Sequence, residues 1–168
     1  MIDRMIAAAR LDPAAYEAVE ADEDATAPAA LIVVLAALAA GIGALDGGID
    51  ALIAVVIAGL FGWIVYAAAV YFVGTRVFAG PETQSTVGEL LRTLGFAQTP
   101  RLLLVFAFIP VLGILLAIAV FIWILFTTVV AIRQALDFST GRAIGTAIVA
   151  VLVLFVVQLI VALLFGGF

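Results

Sequence analysis

Long uncharged stretches of apolar residues dominate the sequence after residue 28. About 20 such residues form a helix that crosses a hydrocarbon core of about 30 Å. The pattern predicts transmembrane helices over about 29–45, 51–74 and 143–164, with Asp50 placed to cap the second.

A further run of 31 uncharged residues lies between Arg101 and Arg133. As one helix it would measure about 46 Å at 1.5 Å per residue, whereas two helices would each be short. Arginines collect in cytoplasmic loops, and only two crossings place all seven arginines on one side. The charge pattern therefore favours two crossings, a cytoplasmic N-terminus and an external C-terminus.

The two crossings are predicted over about 97–112 and 114–133. Pro110 removes a helical hydrogen bond and Gly113 tolerates a sharp turn, so these residues are expected to break the helix between the two spans. Whether 97–133 forms two full spans or a shorter re-entrant hairpin is left open by hydropathy.

Two more polar segments lie outside these spans, one before the first span and one between the second and third spans. Residues 1–28 are predicted to be a cytoplasmic segment with short helices, and 29–168 a transmembrane domain. Thr86 and Glu89 have the spacing of a capping box, which predicts a short amphipathic helix over 86–94. This helix is too short to cross, so we expect it in the membrane interface with its leucines at the acyl boundary.

Composition supports a membrane setting and narrows the chemistry. The chain is 67% hydrophobic and contains neither cysteine nor histidine, which removes thiol and imidazole catalysis and the usual ligands of zinc, copper and haem. We find no catalytic group, metal site or cofactor site, and expect no enzymatic activity and no nucleic-acid partner. All seven basic residues are arginine, which is typical of a GC-rich bacterial genome.

Two small groups of polar residues are candidate contact sites. Gln158 is predicted to hydrogen-bond across helices to Thr127 or Thr128, because such bonds join helices within membranes; a transport role is the alternative. The second group, at the cytoplasmic face, is a candidate contact for a lipid phosphate or a partner's carboxylate. Helix anchoring is the favoured interpretation of its arginines. This second group comprises Arg92, Gln98 and Arg101.

Four blocks in order along the chain resemble the Yip family, whose members are named for interacting with Ypt/Rab GTPases. They are LDPAAYEAVEADEDAT (11–26), LLRTLGFAQTPRLLL (90–104), IPVLG (109–113) and AIRQALDFSTGRA (131–143). The resemblance implies an all-α bundle of five transmembrane helices with a cytoplasmic N-terminus. In eukaryotes the family is tied to vesicle trafficking, but this sequence contains no Asp-Leu-Tyr-Gly-Pro motif.

Together these features predict a non-enzymatic, multi-pass protein of a bacterial inner (plasma) membrane. It is expected to scaffold partners or to organise the bilayer through its helices and cytoplasmic face. The expected partners are membrane lipids, other membrane proteins or further copies of the chain. The alternatives are a small oligomeric transporter or channel, and an accessory subunit of a larger membrane complex.

Overall fold

The computed structural model describes residues 1–42, 48–80 and 83–165. Within these ranges the chain forms seven α-helices, a one-turn 3-10 helix at Glu23–Ala25 and a longer 3-10 helix at Thr99–Phe106. The α-helices are α1 Ile2–Ala9, α2 Pro13–Ala21, α3 Thr26–Ile42, α4 Gly48–Arg76, α5 Val87–Ala97, α6 Leu112–Ala135 and α7 Thr140–Phe165. The end of the first predicted span, residues 43–45, lies outside the described ranges.

Among the described residues, four helical segments are long and apolar enough to cross a membrane, which confirms the prediction of an all-α membrane bundle. They are Glu23–Gly41, which contains most of α3, and α4, α6 and α7. The predicted count was five, so the structure differs by one. Their outward side chains are apolar and suit contact with lipid, and the backbone groups between the helix ends are hydrogen-bonded within each helix.

The missing fifth helix is the predicted span 97–112. Here the chain leaves α5 and continues as the 3-10 helix Thr99–Phe106, which packs between α3 and α6. A 3-10 helix rises about 2.0 Å per residue, so these eight residues extend about 16 Å. A short segment thereby reaches farther than an α-helix of the same length.

The chain reverses between this 3-10 helix and α6, at the predicted break. Val111 has a positive φ of 65°, and the Gly113 amide donates to the Ile109 carbonyl at 2.7 Å. A Cβ on Gly113 would collide with the Ala107 carbonyl oxygen, so the close approach of the two arms requires glycine.

Helix α5 has the predicted capping box, since Thr86 Oγ1 accepts from the Glu89 amide and Glu89 accepts from the Thr86 amide. Its surroundings differ from the prediction. Leu90 and Leu94 are fully buried, because α5 packs against α1, α2, α3, α4 and α6. The apolar face that suggested lipid contact instead forms part of the protein core.

Helices α1 and α2 form a hairpin against this core. Asp12 caps α2 by accepting from the Ala14 amide, and the hairpin packs on α5 and α6. On another side of the bundle, α7 packs on α4 and α6. The hairpin and α5 thus bring polar groups of the N-terminal segment against the membrane helices.

Candidate functional site at the docked N-terminal hairpin

The α1–α2 hairpin is held together by one buried tyrosine and one surface ion pair. Tyr16 is fully buried, and its hydroxyl donates to the Ala8 carbonyl at 3.0 Å. Burial raises the pKa of the Tyr16 hydroxyl above its ordinary value. Arg4 and Asp22 form an ion pair at 2.5 Å, which lowers the pKa of Asp22.

Arg92 joins α5 to the C-terminal end of α2. Its Nε donates to the carbonyls of Val19 and Glu20 at 3.2 and 3.0 Å, and its Nη2 also donates to Glu20. The last carbonyls of a helix have no partner within the helix, and a cation there also offsets the negative end of the helix dipole. With only 8% of the residue exposed, the predicted lipid contact of Arg92 is replaced by a contact inside the protein.

Beside this arginine lies Glu20, whose charge is influenced by three other carboxylates. Glu20 is half-buried, and Glu17, Glu89 and Asp137 are close enough to act on its charge. Burial raises the pKa of Glu20 to about 7, Glu89 and Asp137 add to the rise, and Arg92 opposes it. A carboxyl group that exchanges its proton near neutral pH thus lies beside the backbone contact that docks the hairpin.

Two further hydrogen bonds attach the hairpin to α6. Gln134 Nε2 donates to Glu17 Oε1 at 2.8 Å. Trp123 Nε1 donates to the Ala9 carbonyl at 2.7 Å, at the C-terminal end of α1. Since Trp123 lies near the middle of α6, the C-terminal end of α1 meets α6 about halfway along its length.

Helix α1 has two apolar sides. Met5 and Ala8 are buried against the bundle, whereas Met1, Ile2 and Ile6 point outward and are 49%, 69% and 46% exposed. Next to them, a surface groove of about 420 Å³ is lined by Asp3, Ile6, Ala7, Arg10 and Asp12. An apolar edge bordered by charges is typical of a helix that lies in a membrane interface.

The other residues of the predicted contact site do not join Arg92. Arg101 is exposed on the 3-10 helix. Gln98 Oε1 is buried, and the described residues provide no hydrogen-bond partner for it. Arg101 is therefore the exposed residue of the three, although desolvation of its guanidinium lowers its pKa.

The predicted contact of Gln158 with the threonines of α6 is absent from the described residues. Thr127 Oγ1 donates to the Ala97 carbonyl at 2.9 Å and so joins α6 to α5. Thr128 is largely buried. Gln158 is exposed on α7, and its Nε2 lies 3.9 Å from the position that a Cβ on Gly62 would occupy.

Sequence reasoning missed the two tryptophans as interhelical donors. Trp63 Nε1 donates to the Leu91 carbonyl at 3.1 Å and joins α4 to α5, while Trp123 binds α1. Tryptophan in the middle of an apolar helix is a weak signal for such a bond, because its indole N–H requires an acceptor when buried. The acceptor itself cannot be read from the pattern.

Among the described residues, no group of three or more acidic side chains is arranged to hold a metal ion. The arrangement offers charged groups, namely carboxylates and one buried arginine, and beside them a docked amphipathic helix.

A family model, the Yip1 domain, matches residues 11–162. Comparison with curated proteins and with solved structures found no match. The matched range contains α2, α5, three of the four apolar helical segments and all but the last residues of α7. Since the match covers most of the chain, this multi-pass integral membrane protein belongs to the Yip1 domain family.

Proposed function

We propose that the protein is a non-enzymatic, membrane-organising protein that acts on the lipid bilayer through the outward side of α1. The observation that carries the proposal is the docking of α1, which faces outward with Met1, Ile2 and Ile6 while its other side is held by the bundle. Exposing these side chains to water costs about 25 cal/mol per Å². Contact with acyl chains removes this cost.

The docking makes α1 a fixed wedge. An isolated helix of eight residues is marginal in water, but Trp123 and the buried Met5 hold α1 at a defined position beside a membrane-crossing helix. A helix inserted into one leaflet only spreads the headgroups of that leaflet. Such a wedge favours curved bilayers, and lipids are the partner that this surface fits.

The test is the distribution of purified protein between small and large reconstituted vesicles. We expect enrichment in small vesicles, and loss of that enrichment in the double variant Ile2→Gln and Ile6→Gln. The matched control is Ile2→Val with Ile6→Val, which retains the apolar surface and should behave as the unsubstituted protein. Equal distribution of the unsubstituted protein between the two vesicle sizes would refute the proposal.

Two further measurements separate this function from the alternatives. A transporter or channel produces solute flux across reconstituted vesicles, whereas a membrane-organising protein produces none. A scaffold or accessory subunit retains other membrane proteins on purification in mild detergent. Flux, or stoichiometric retention of one partner that the α1 variants do not change, would favour those alternatives over the lipid wedge.

A further inference from the structure

Helix α7 is the least covered of the apolar helices. In its most apolar window 6% of the residues are buried, against 22% in α4 and α6 and 39% in Glu23–Gly41. Its exposed apolar residues, such as Phe155, Leu159 and Leu163, are suited to contact with acyl chains. Lipid alone therefore suits most of the surface of α7.

Gln158 is the exception on this surface. Its amide can donate two hydrogen bonds and accept two, yet within the described ranges its side chain has no hydrogen-bond partner, and the residue is exposed. It lies seven residues before Phe165, about 10 Å from the end of the helix at 1.5 Å per residue. Acyl chains offer no hydrogen bond, so a lipid-facing amide is costly there.

We propose that a second copy of this chain packs against α7, with the Gln158 amides of the two copies hydrogen-bonded to each other. The amide carries both a donor and an acceptor, so two amides related by a twofold axis satisfy each other. A lipid tail supplies neither group. Polar side chains of this kind join helices within membranes.

The surroundings of Gln158 allow a second helix to approach. On the neighbouring α4, Gly62 has no side chain, and Ala58 and Ala54 are small and exposed one and two turns away. On α7 itself, Val161 lies on the same side as Gln158 at a spacing of three residues, whereas Ile160 points to the opposite side. The exposed residues around Gln158 are uncharged, so no charge opposes the pairing of two identical surfaces.

Cysteine cross-linking in membranes tests the contact, because the sequence contains no cysteine. We expect Val161→Cys to form a disulfide-linked dimer on mild oxidation. The matched control is Ile160→Cys, which is 50% exposed against 37% for Val161 but faces away and should cross-link weakly. Equal cross-linking at both positions would indicate random collision and overturn the proposal, as would a Val161→Cys protein that remains monomeric or cross-links to a different protein.

A second variant tests the amide itself. Adding Gln158→Leu to the Val161→Cys protein should reduce dimer formation about five-fold, the effect of roughly one interhelical hydrogen bond. The melting temperature in detergent shows whether the variant is folded. If the folded double variant cross-links as strongly as Val161→Cys alone, the amide pair is refuted even though a dimer exists.

Discussion

Arg92 acts as an internal bond between two helices. It lies on α5, but its hydrogen bonds go to the carbonyls of Val19 and Glu20 at the end of α2. Removing it leaves these carbonyls without their donor, and it also removes the cation that favours the charged form of Glu20. A residue that resembled a lipid anchor therefore contributes to the stability of the docked hairpin.

Replacing Arg92 by methionine, which retains most of its apolar stem, should lower the free energy of unfolding by about 2 kcal/mol, the typical value for hydrogen bonds to a charged group. Thermal unfolding in mild detergent measures the change. Arg101→Met is the matched control, because Arg101 is exposed; its effect should stay within about 0.5 kcal/mol. Equal losses in both variants would contradict the structural role of Arg92.

The raised pKa of Glu20 predicts that the stability of the protein depends on pH. Its pKa is about 7 in the folded protein, against an ordinary value of 4.5. Between these values the folded state retains a proton that the unfolded state has released, so stability should fall as pH rises through this window. Glu20→Gln should flatten the dependence of the melting temperature on pH between 5 and 7.

The control for this prediction is Glu23→Gln, which removes an exposed acid from the same segment. It should retain the decrease in melting temperature between pH 5 and 7. A Glu20→Gln protein whose melting temperature still falls as steeply as that of the unsubstituted protein would show that another group is responsible.

At the scale of the elements, α5 is the helix around which the others pack. Its closest approach is at Gly95, where a Cβ would lie 2.6 Å from the Cβ of Ala29 on α3. The backbones of α3 and α5 can approach this closely only because Gly95 has no side chain. The amphipathic pattern of α5 indicated an apolar face but not what covers it.

Gly95→Ala should destabilise the protein by up to about 2 kcal/mol, since overpacking against backbone costs about 1–3 kcal/mol and the gain in helix propensity offsets roughly 1 kcal/mol of it. Gly141→Ala, on α7, is the matched control, because no atom lies within 4 Å of its added Cβ. We expect the control to leave the protein as stable or slightly more stable. Chemical unfolding in detergent measures both, and effects of the same sign would contradict the close α3–α5 contact.

At the scale of the whole molecule, the arrangement of α6 decides the membrane topology. This helix has 24 residues, about 36 Å at 1.5 Å per residue, which exceeds a hydrocarbon core of about 30 Å. Its two ends should therefore lie on opposite faces of the membrane. The 3-10 helix before it extends only about 16 Å and so does not by itself return across the core.

Single cysteines on either side of α6 test this topology, again without a native cysteine in the background. We expect Val111→Cys, in the turn before α6, to react with a membrane-impermeant thiol reagent from outside intact cells. Ser139→Cys, after α6, should react only once the membrane is permeabilised. Protection of Val111→Cys from outside would indicate a re-entrant hairpin.

The sequence by itself determined the membrane setting, the principal helices, the capping box at Thr86 and the reversal around Pro110. These follow from local physics, because transfer into lipid, helix capping and backbone freedom depend on residues within a few positions of each other. The 3-10 geometry of Thr99–Phe106 could not be predicted from local sequence, because this segment packs between two other helices, α3 and α6.

Only the tertiary structure decided what covers each face and which polar groups meet. Arg92 bonds to a carbonyl 73 positions away and Trp123 to one 114 positions away, so no local pattern contains the pairing. The same reason explains why the apolar face of α5 is enclosed by protein while that of α1 points outward. Periodicity shows that a helix has an apolar side, and the packing of distant helices determines whether protein or lipid lies against it.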